Sequence, residues 1–175
     1  MKVLLLNGSP RKNGCTYTAL NVVADALKAE GIDAEVFQAG DPDMENVKAA
    51  AAKLKDSDAL VVGSPVYWAS PSGQIIEFMD RLASVAGKDM LYKPAAAVAS
   101  ARRAGTTATL DVLTKYFSYH QMPVVSSCYW NMVHGNAPEE VMRDEEGVQI
   151  MRVLGKNMAW LLKCIKLGKE NGICH

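Results

Sequence analysis

The segment VLLLNGSPRKNGCTYT, residues 3–18, passes from an apolar run through a polar loop into a helical pattern. Its first part, Val3–Leu6, is continuously apolar, which is typical of a strand covered on both faces by other elements. From Thr16 onward, apolar side chains recur at helical spacing up to Gly31, a residue type that suits the position just after a helix end. The segment therefore predicts a strand, a loop and a helix in direct succession.

Strand and helix patterns alternate along the rest of the chain. The later strands are predicted at Asp33–Gln38, Ala59–Val62, Ala95–Ala99 and Pro123–Ser126. The helices between them are predicted over about 44–54, 75–82 and 110–117. A final helical region covers about Glu139–Leu167, with an interruption expected near Gly147. This alternation is typical of a parallel sheet with helices on both faces.

The polarity of the strands predicts their order in the sheet. The second strand alternates polar and apolar side chains and the fifth begins with Pro123, so both fit sheet edges. The other three strands are apolar throughout or built from small residues, which fits the centre of a sheet. The order 2-1-3-4-5 meets these constraints with right-handed crossovers. We therefore predict one α/β domain over residues 1–175, a flavodoxin-like three-layer sandwich with a five-stranded parallel sheet.

The composition narrows the class of protein. Hydrophobic residues make up 49% and charged residues 22% of the 175 residues, and the formal net charge is zero. A neutral chain disfavours a nucleic-acid-binding protein, which usually carries a basic excess, and a carrier that docks through a strongly charged face. No apolar run approaches the length of a membrane span. The four cysteines, from Cys15 to Cys174, are scattered without paired spacing, which favours reduced thiols in the cytoplasm.

The loop NGSPRKNGCTYT, residues 7–18, has the composition of an anion site. In an open parallel sheet, ligands bind beyond the carboxyl ends of the strands, where the strand order reverses, and this loop lies there. Arg11 and Lys12 precede a helix start, which is unfavourable by about 0.3–1 kcal/mol per cation unless an anion joins them. The spacing of Gly8 and Gly14 matches neither the nucleoside-triphosphate loop nor the dinucleotide fingerprint. The loop therefore predicts a site for a mononucleotide phosphate.

Two further loops follow the third and fourth predicted strands. The third strand lies beside the first in the predicted order, and the fourth lies beside the third. GSPVYWASPSG carries Tyr67 and Trp68, whose aromatic faces suit a flat heteroaromatic ring, although Trp68 alone fits a dimer contact almost as well. SARRAGTT places Arg102 and Arg103 before another helix. One of these arginines is expected either to stabilise the anionic edge of a reduced flavin or to bind the 2′-phosphate of NADPH. The sequence does not distinguish which arginine does so.

The motifs GSPRKNGCTYT, SPVYW followed by FMDR, and SARRAG together resemble the NADPH-dependent FMN reductase family of flavodoxin-like proteins. That family includes iron-sulfur flavoproteins and is related to NAD(P)H quinone reductases, and the resemblance covers most of the chain. It implies that FMN is bound by residues of these motifs. For the phosphate they are Ser9, Arg11, Asn13, Cys15, Thr16, Tyr17 and Thr18. For the isoalloxazine ring they are Pro65, Val66, Tyr67 and Trp68, with Ser100, Ala101, Arg102 and Arg103 closing the far side.

The chain departs from the family at two places. Cys15 stands where members of the family often have asparagine. The cysteines that bind the cluster of iron-sulfur flavoproteins would fall around residues 40–50, where GDPDMENVKAA has none, so no cluster and no other metal is expected. His120 and His134 are expected to be structural and the terminal His175 to be disordered, and no catalytic side chain is predicted.

The resemblance implies an oxidoreductase in which NADPH or NADH donates a hydride to the flavin, which then reduces a second small molecule such as free flavin or a quinone. Two alternatives remain open at this point. One is a flavodoxin-type electron carrier that binds FMN without nicotinamide turnover, and the other is a non-enzymatic flavin-binding protein. A homodimer or homotetramer is expected by analogy with the family, with no nucleic-acid or membrane partner.

Overall fold

The structure, a computed structural model, describes residues 1–173, so the predictions for Cys174 and His175 lie outside the described residues. The strands are β1 (Lys2–Asn7), β2 (Asp33–Gln38), β3 (Ala59–Tyr67), β4 (Ser70–Pro71), β5 (Ala95–Ala101) and β6 (Met132–His134). The helices are α1 (Cys15–Ala29), α2 (Met44–Lys55), α3 (Gly73–Met90), α4 (Thr106–Tyr119), α5 (Pro138–Val141) and α6 (Glu145–Glu170). None of these helices is long and apolar enough to span a lipid bilayer.

The main sheet has the order β2-β1-β3-β5-β6, and all four of its strand pairs are parallel. The two-residue β4 pairs antiparallel with the end of β3 and lies off this path. When β4 is left out of the numbering, the order is the predicted 2-1-3-4-5. The flavodoxin-like α/β prediction is therefore confirmed, with β4 as an element that the sequence patterns did not reveal.

Side chains of β1 alternate between two core layers on opposite faces of the sheet. Leu4 and Leu6 pack in the layer with α2, α3 and α4, whereas Val3 and Leu5 pack in the layer with α1 and α6. All four are fully buried, and each such side chain contributes about 1.5–3 kcal/mol to stability. Burial on both faces is the reason that this strand is continuously apolar, whereas the partly exposed β2 is not.

The far edge of the sheet differs from the predicted strand at Pro123–Ser126. The N–H of Ala95 donates to the Pro123 carbonyl at 2.9 Å, and the N–H of Val125 donates back to the Ala95 carbonyl at 2.8 Å. This single bridge is the only sheet pairing that the segment makes within the described residues. The chain then leaves the sheet and returns as β6, which pairs with the end of β5. The predicted strand is therefore wrong beyond its first contact.

Local hydrogen bonds explain why the chain leaves the sheet at this point. The hydroxyl of Ser127 donates to the Tyr129 carbonyl at 2.7 Å and accepts from the Tyr129 N–H at 3.4 Å. The side chain of Asn157, on α6, donates to the Ser126 carbonyl at 2.8 Å. These side-chain partners replace the ladder hydrogen bonds of a strand, a competition in which serine and asparagine are effective.

The predicted interruption of the last helical region is present, but it falls at residues 142–144, between α5 and α6, and not at Gly147. Gly147 lies in the first turn of α6, and its N–H donates to the side chain of Asp144, the N-cap residue, at 3.0 Å. The second oxygen of Asp144 accepts from the N–H of His134 at 2.7 Å. A Cβ on Gly147 would lie 2.2 Å from that second oxygen, so only glycine allows this approach. One carboxylate thus starts α6 and anchors β6.

We expect Asp144→Ala to lower the free energy of unfolding by about 1–2 kcal/mol, because it removes an N-cap and a hydrogen bond to β6. Thermal or urea denaturation measures the effect. Glu146→Ala is the matched control, since it removes the same charge from the first turn of α6 without a described hydrogen bond. Equal stabilities of the two variants would contradict the anchoring role of Asp144.

Candidate functional site

The loops after β1, β3 and β5 are joined at the carboxyl end of the sheet. The N–H of Gly8 donates to the Gly63 carbonyl at 2.8 Å, which places the first loop on the end of β3. The Ser72 hydroxyl donates to the Gly8 carbonyl at 2.8 Å. The hydroxyls of Thr16 and Ser100 share a hydrogen bond of 2.7 Å between α1 and β5. The structure therefore brings together the three loops that the sequence singled out.

The second and third loops also pack against each other. Gly105 has a φ of +101°, a left-handed conformation that glycine adopts without strain. A Cβ at Gly105 would lie 2.7 Å from the Ala69 Cα and 2.9 Å from a methyl group of Val66. The backbone after the arginine pair therefore lies directly against the β3–β4 hairpin, and a larger residue at this position would separate the two loops.

Two amide side chains that the sequence analysis missed support the first loop from inside. Asn7 is fully buried, accepts from the Ser9 N–H at 3.2 Å, and donates to the Gln38 side chain at 2.7 Å and to the Lys12 carbonyl at 3.2 Å. Gln38 donates to the Ser9 carbonyl at 2.6 Å. Asn7 and Gln38 end β1 and β2 and are register partners. In the sequence, the polar residues at the ends of two adjacent predicted strands were the signal that could have indicated this support.

Ser72 is a third residue that the sequence analysis missed. It is fully buried, and its side chain caps α3 by accepting from the Ile75 N–H at 3.3 Å while donating to the first loop. Its own N–H donates to the Ser64 hydroxyl at 3.0 Å. A serine directly before a helical pattern is a common N-cap signal, so this residue was within reach of sequence reasoning.

The helices that begin at the two cation-bearing loops have no side-chain cap. α1 begins after Gly14 and α4 after Gly105, and neither has an acidic residue in its first turn. The other helices of more than one turn, α2, α3 and α6, all have a side-chain cap. The peptide N–H groups of residues 12–14, 16 and 17 have no acceptor within residues 1–173, and that of Cys15 interacts only with its own thiol there. These donors and the helix dipole together favour an anion at the start of α1.

Four cations line the same end of the sheet. Arg11, Lys12, Arg102 and Arg103 are all exposed, and none of them belongs to an ion pair among the described residues. These cations make the electrostatic potential at this end of the sheet more positive, and the carboxylates of Glu139 and Glu140, which also act on Cys15, offset part of their effect. An anionic ligand is attracted to such a surface.

The predicted hydroxyl groups of the first loop have different partners. The Ser9 hydroxyl accepts from the Arg11 N–H at 3.1 Å, which leaves its own proton free to donate. Thr18 donates to the carbonyl four residues back in α1 at 3.1 Å. Thr16 is buried and bonded to Ser100. The Ser9 hydroxyl proton has no described acceptor, whereas Thr18 donates its proton, and either Thr16 or Ser100 is the donor in the bond that they share.

Cys15 and the remaining phosphate candidates lie along the start of α1. The Cys15 thiol is half-buried and donates to the Gly135 carbonyl at 3.6 Å. Burial raises the pKa of this thiol, and the nearby Arg11 lowers it by a smaller effect. Cys15 is therefore a neutral thiol near pH 7 and does not repel a phosphate. Asn13 is exposed and Tyr17 half-buried beside it.

The residues predicted to contact the ring lie on the β3–β4 hairpin and on β5. Pro65 and Val66 are half-buried, and Tyr67 is 40% exposed. Trp68 is 100% exposed and, with Ala69, has a positive φ of 54° or 57°, as in the tight turns of hairpins. Trp68 therefore packs on none of the described loops, and both of its predicted roles, ring contact and dimer contact, remain predictions. Ser100 and Ala101 are buried at the end of β5.

The two described histidines lie in different parts of the fold. His120 is buried at the end of α4 and lines a groove of about 590 Å³ between α3 and α4, and its Nδ1 is 2.7 Å from the Tyr116 carbonyl. In the same groove the Tyr116 hydroxyl donates to Asp80 at 2.5 Å, and burial raises the pKa of Tyr116. His134 ends β6, with its ring 3.9 Å from Asp144. The structural roles expected for both histidines remain predictions.

Fold and site define a flavodoxin-like protein with an anion site at the carboxyl end of its sheet, and comparisons with known proteins give the family. The model of the NADPH-dependent FMN reductase family matches residues 1–137, and the chain belongs to this family. An iron-sulfur flavoprotein of Methanocaldococcus jannaschii is 30% identical over 95% of this chain and 100% of its own length. An NADPH azoreductase of a Bacillus species is 30% identical over 58% of this chain and 59% of its own.

Solved structures share the fold at low sequence identity. A WrbA-like flavodoxin of Agrobacterium tumefaciens superposes with a TM-score of 0.73 at 18% identity, over 93% of this chain and 97% of that one. A flavodoxin from an archaeon has a TM-score of 0.71 at 18% identity, over 93% and 99% of the two chains. The predicted family and fold class are thus confirmed, and the chain is an FMN-binding oxidoreductase of this family.

We expect the buried pair Thr16 and Ser100 to be energetically coupled. Thr16→Val leaves the Ser100 hydroxyl buried without a partner, at a cost of about 1–3 kcal/mol, and Ser100→Ala does the same to Thr16. The double variant removes both groups and is expected to lose less stability than the sum of the two single losses. Urea denaturation of the four proteins gives the coupling energy. Additive losses would show that the two hydroxyls do not depend on each other.

Proposed function

We propose that the chain holds the phosphate of its FMN at the start of α1, uses the flavin to oxidise NADPH or NADH, and reduces a second small molecule such as free flavin or a quinone. One observation carries the proposal: at the start of α1, peptide N–H groups have no acceptor elsewhere among the described residues, and Arg11 and Lys12, beside them, have no ion partner there. Free N–H groups at a helix start with adjacent cations favour a phosphate. Membership in an FMN reductase family supports flavin mononucleotide as the molecule that carries this phosphate.

The residues present fit the phosphate group of FMN. The Ser9 hydroxyl has a free proton, and the guanidinium of Arg11 is a planar fork that suits a phosphate in two-point contact. The uncapped first turn of α1 adds backbone donors at Cys15, Thr16 and Tyr17. In the proposal, Thr16 contributes its N–H, because its hydroxyl is already bonded to Ser100.

The flavin supplies the redox chemistry when it is bound, because it accepts hydride from a nicotinamide and can pass the electrons on. The chain has to orient the two reactants and hold their charges. In the proposal, Pro65, Val66 and Tyr67 line the ring, since they end β3 beside the first loop. Arg102 and Arg103, held next to the hairpin by Gly105, either bind the 2′-phosphate of NADPH or face the edge of the ring.

We propose that electrons leave the protein without an iron-sulfur cluster, although the chain is similar to iron-sulfur flavoproteins. No cysteine occurs between Cys15 and Cys128, so residues 40–50 offer no thiolate ligands. Cys15, Cys128 and Cys164 are free thiols in the structure. The second substrate is therefore proposed to be a small molecule that reaches the flavin site itself, and the azoreductase among the relatives is an example of such a reaction.

The proposal places the protein in the cytoplasm, where free cysteines stay reduced. It also includes a homodimer or homotetramer. The fully exposed Trp68 and the 40% exposed Tyr67, neighbours on the hairpin, support this part, because tryptophan and tyrosine are enriched at protein–protein interfaces. Neither a nucleic acid nor a membrane is proposed as a partner.

The central test is whether the purified protein binds FMN and turns over NADPH. We expect loss of absorbance at about 340 nm when NADPH and a quinone are added to the FMN-loaded protein. Arg11→Ala should weaken FMN binding about tenfold in a fluorescence titration, because a charge-assisted hydrogen bond to phosphate is lost. Arg152→Ala, which removes an exposed arginine from α6, is the control. FMN binding without NADPH oxidation would favour an electron carrier or a non-enzymatic flavin-binding protein.

Arg102→Ala and Arg103→Ala test the choice of nicotinamide. We expect one of them to lower kcat/KM for NADPH about tenfold and to leave the value for NADH nearly unchanged, because only NADPH has a 2′-phosphate. Lys115→Ala, an exposed cation further along α4, is the control. Equal losses with both nicotinamides would instead assign the arginine to the edge of the flavin ring.

A further inference from the structure

We propose that Asn7 is a positioning residue for the first loop, residues 7–18. Asn7 holds the carbonyls of Arg11 and Lys12 inward and thereby aims the N–H groups of the same two peptide groups, those of Lys12 and Asn13, at the bound phosphate. The inference rests on the proposed FMN site. It adds two things to that site: a role for a buried residue that does not touch the cofactor, and the N–H groups that would act as donors.

The first step is the burial of Asn7. It ends β1, between β2 and β3, and its side chain is fully buried where the neighbouring residues of β1 are leucines. A buried amide costs stability unless its hydrogen bonds are satisfied. Within residues 1–173, Asn7 satisfies them with the first loop and Gln38 alone, so the loop depends on this side chain. An apolar residue at this position would make none of these bonds.

The second step is the geometry of the peptide groups. The Nδ2 of Asn7 lies 3.2 Å from the Lys12 carbonyl oxygen and 3.5 Å from that of Arg11, so both carbonyls point towards the interior. The peptide bonds of this loop are trans. In a planar trans peptide the C=O and the N–H point in opposite directions. The N–H groups of Lys12 and Asn13 therefore point outward, and neither has a hydrogen-bond acceptor within residues 1–173.

The third step concerns Ser9, which is held at both ends of its backbone. Its N–H donates to Asn7 and its carbonyl accepts from Gln38. With its backbone fixed in this way, its hydroxyl accepts from the Arg11 N–H and keeps its proton for an outside acceptor. Asn7 thus sets the orientation of three donors at once: two peptide N–H groups and, through the backbone, one hydroxyl.

The fourth step fixes the orientation of the Asn7 amide itself. Its Nδ2 donates to the Gln38 side-chain oxygen at 2.7 Å, and the Gln38 nitrogen is already committed to the Ser9 carbonyl. Turning the Asn7 amide around would place its oxygen against the oxygens of Gln38 and Lys12. The network is therefore consistent in one orientation only, and Gln38 is the residue that enforces it.

The test compares FMN with riboflavin, which has the same ring and lacks the phosphate. Asn7→Leu removes every hydrogen bond of the amide and keeps the number and branching of the side-chain heavy atoms, and Gln38→Met removes the second amide on the partly exposed β2. Affinities for both flavins are measured by fluorescence titration, and folding is checked by circular dichroism and thermal denaturation. The control is Asn157→Leu, which removes an asparagine that donates to a loop carbonyl away from the site.

We expect Asn7→Leu to weaken FMN binding at least about tenfold and riboflavin binding less than about twofold. The N–H groups of Lys12 and Asn13, which the substitution turns away, bind only the phosphate, and riboflavin has none. Gln38→Met should lower the ratio of FMN affinity to riboflavin affinity by a smaller factor. It serves as the test if Asn7→Leu does not fold. The control should leave the ratio unchanged. A loss of unfolding temperature alone would not change the ratio, so the ratio separates positioning from stability.

Two results would overturn the proposal, and they differ in what else they overturn. If wild-type protein binds FMN much more tightly than riboflavin and the variants keep that ratio, the positioning role of Asn7 is wrong and the phosphate site stands. If the wild-type protein binds the two flavins equally, the phosphate site is wrong, and the role of Asn7 falls with it.

Discussion

The loop after β1 leaves the sheet directly above the end of β3, and the absence of a side chain at Gly8 allows the two backbones to approach each other there. A Cβ at this position would lie 2.6 Å from the Ile75 side chain and 2.8 Å from the Gly63 carbonyl oxygen. Without it, the Gly8 N–H bonds to the Gly63 carbonyl at 2.8 Å and the Gly8 carbonyl accepts from Ser72. The start of α1, the cap of α3 and the end of β3 all depend on this one close backbone approach. A displaced Gly8 would move every element of the candidate site together.

The loop that begins there is organised for an outside ligand at some cost to the isolated chain. Its interior polar groups are satisfied by Asn7 and Gln38, whereas its outward N–H groups have no acceptor among the described residues. α1 also lacks the cap that stabilises a helix start by about 1 kcal/mol, and Arg11 and Lys12 face the positive end of its dipole. Each of these unfavourable features becomes favourable when a phosphate binds. Their combination in one loop is therefore better explained by ligand binding than by folding.

Much of the fold follows from patterns that are local in sequence. The strand order could be predicted because burial on both faces makes central strands apolar and partial exposure makes β2 mixed. The errors have a common cause, which is a side chain that bonds to backbone distant in sequence or competes with it locally. Asp144 shifts the break in the last helical region by capping α6 and binding His134, and Ser127 with Asn157 takes the backbone out of the sheet. Apolar periodicity contains no information about such bonds.

The same distinction applies to the site. The cations and the glycines of the first loop could be recognised from residue types alone, because their chemistry at a helix start is unusual wherever it occurs. The partners of the hydroxyls could not, since Thr16 meets Ser100 across 84 positions of sequence. Asn7 and Gln38 were missed for a related reason: each ends its strand, and only the register of β1 against β2 makes them neighbours. The sequence alone therefore identifies the groups that face the ligand. The buried groups that aim them become visible once the strand register is known.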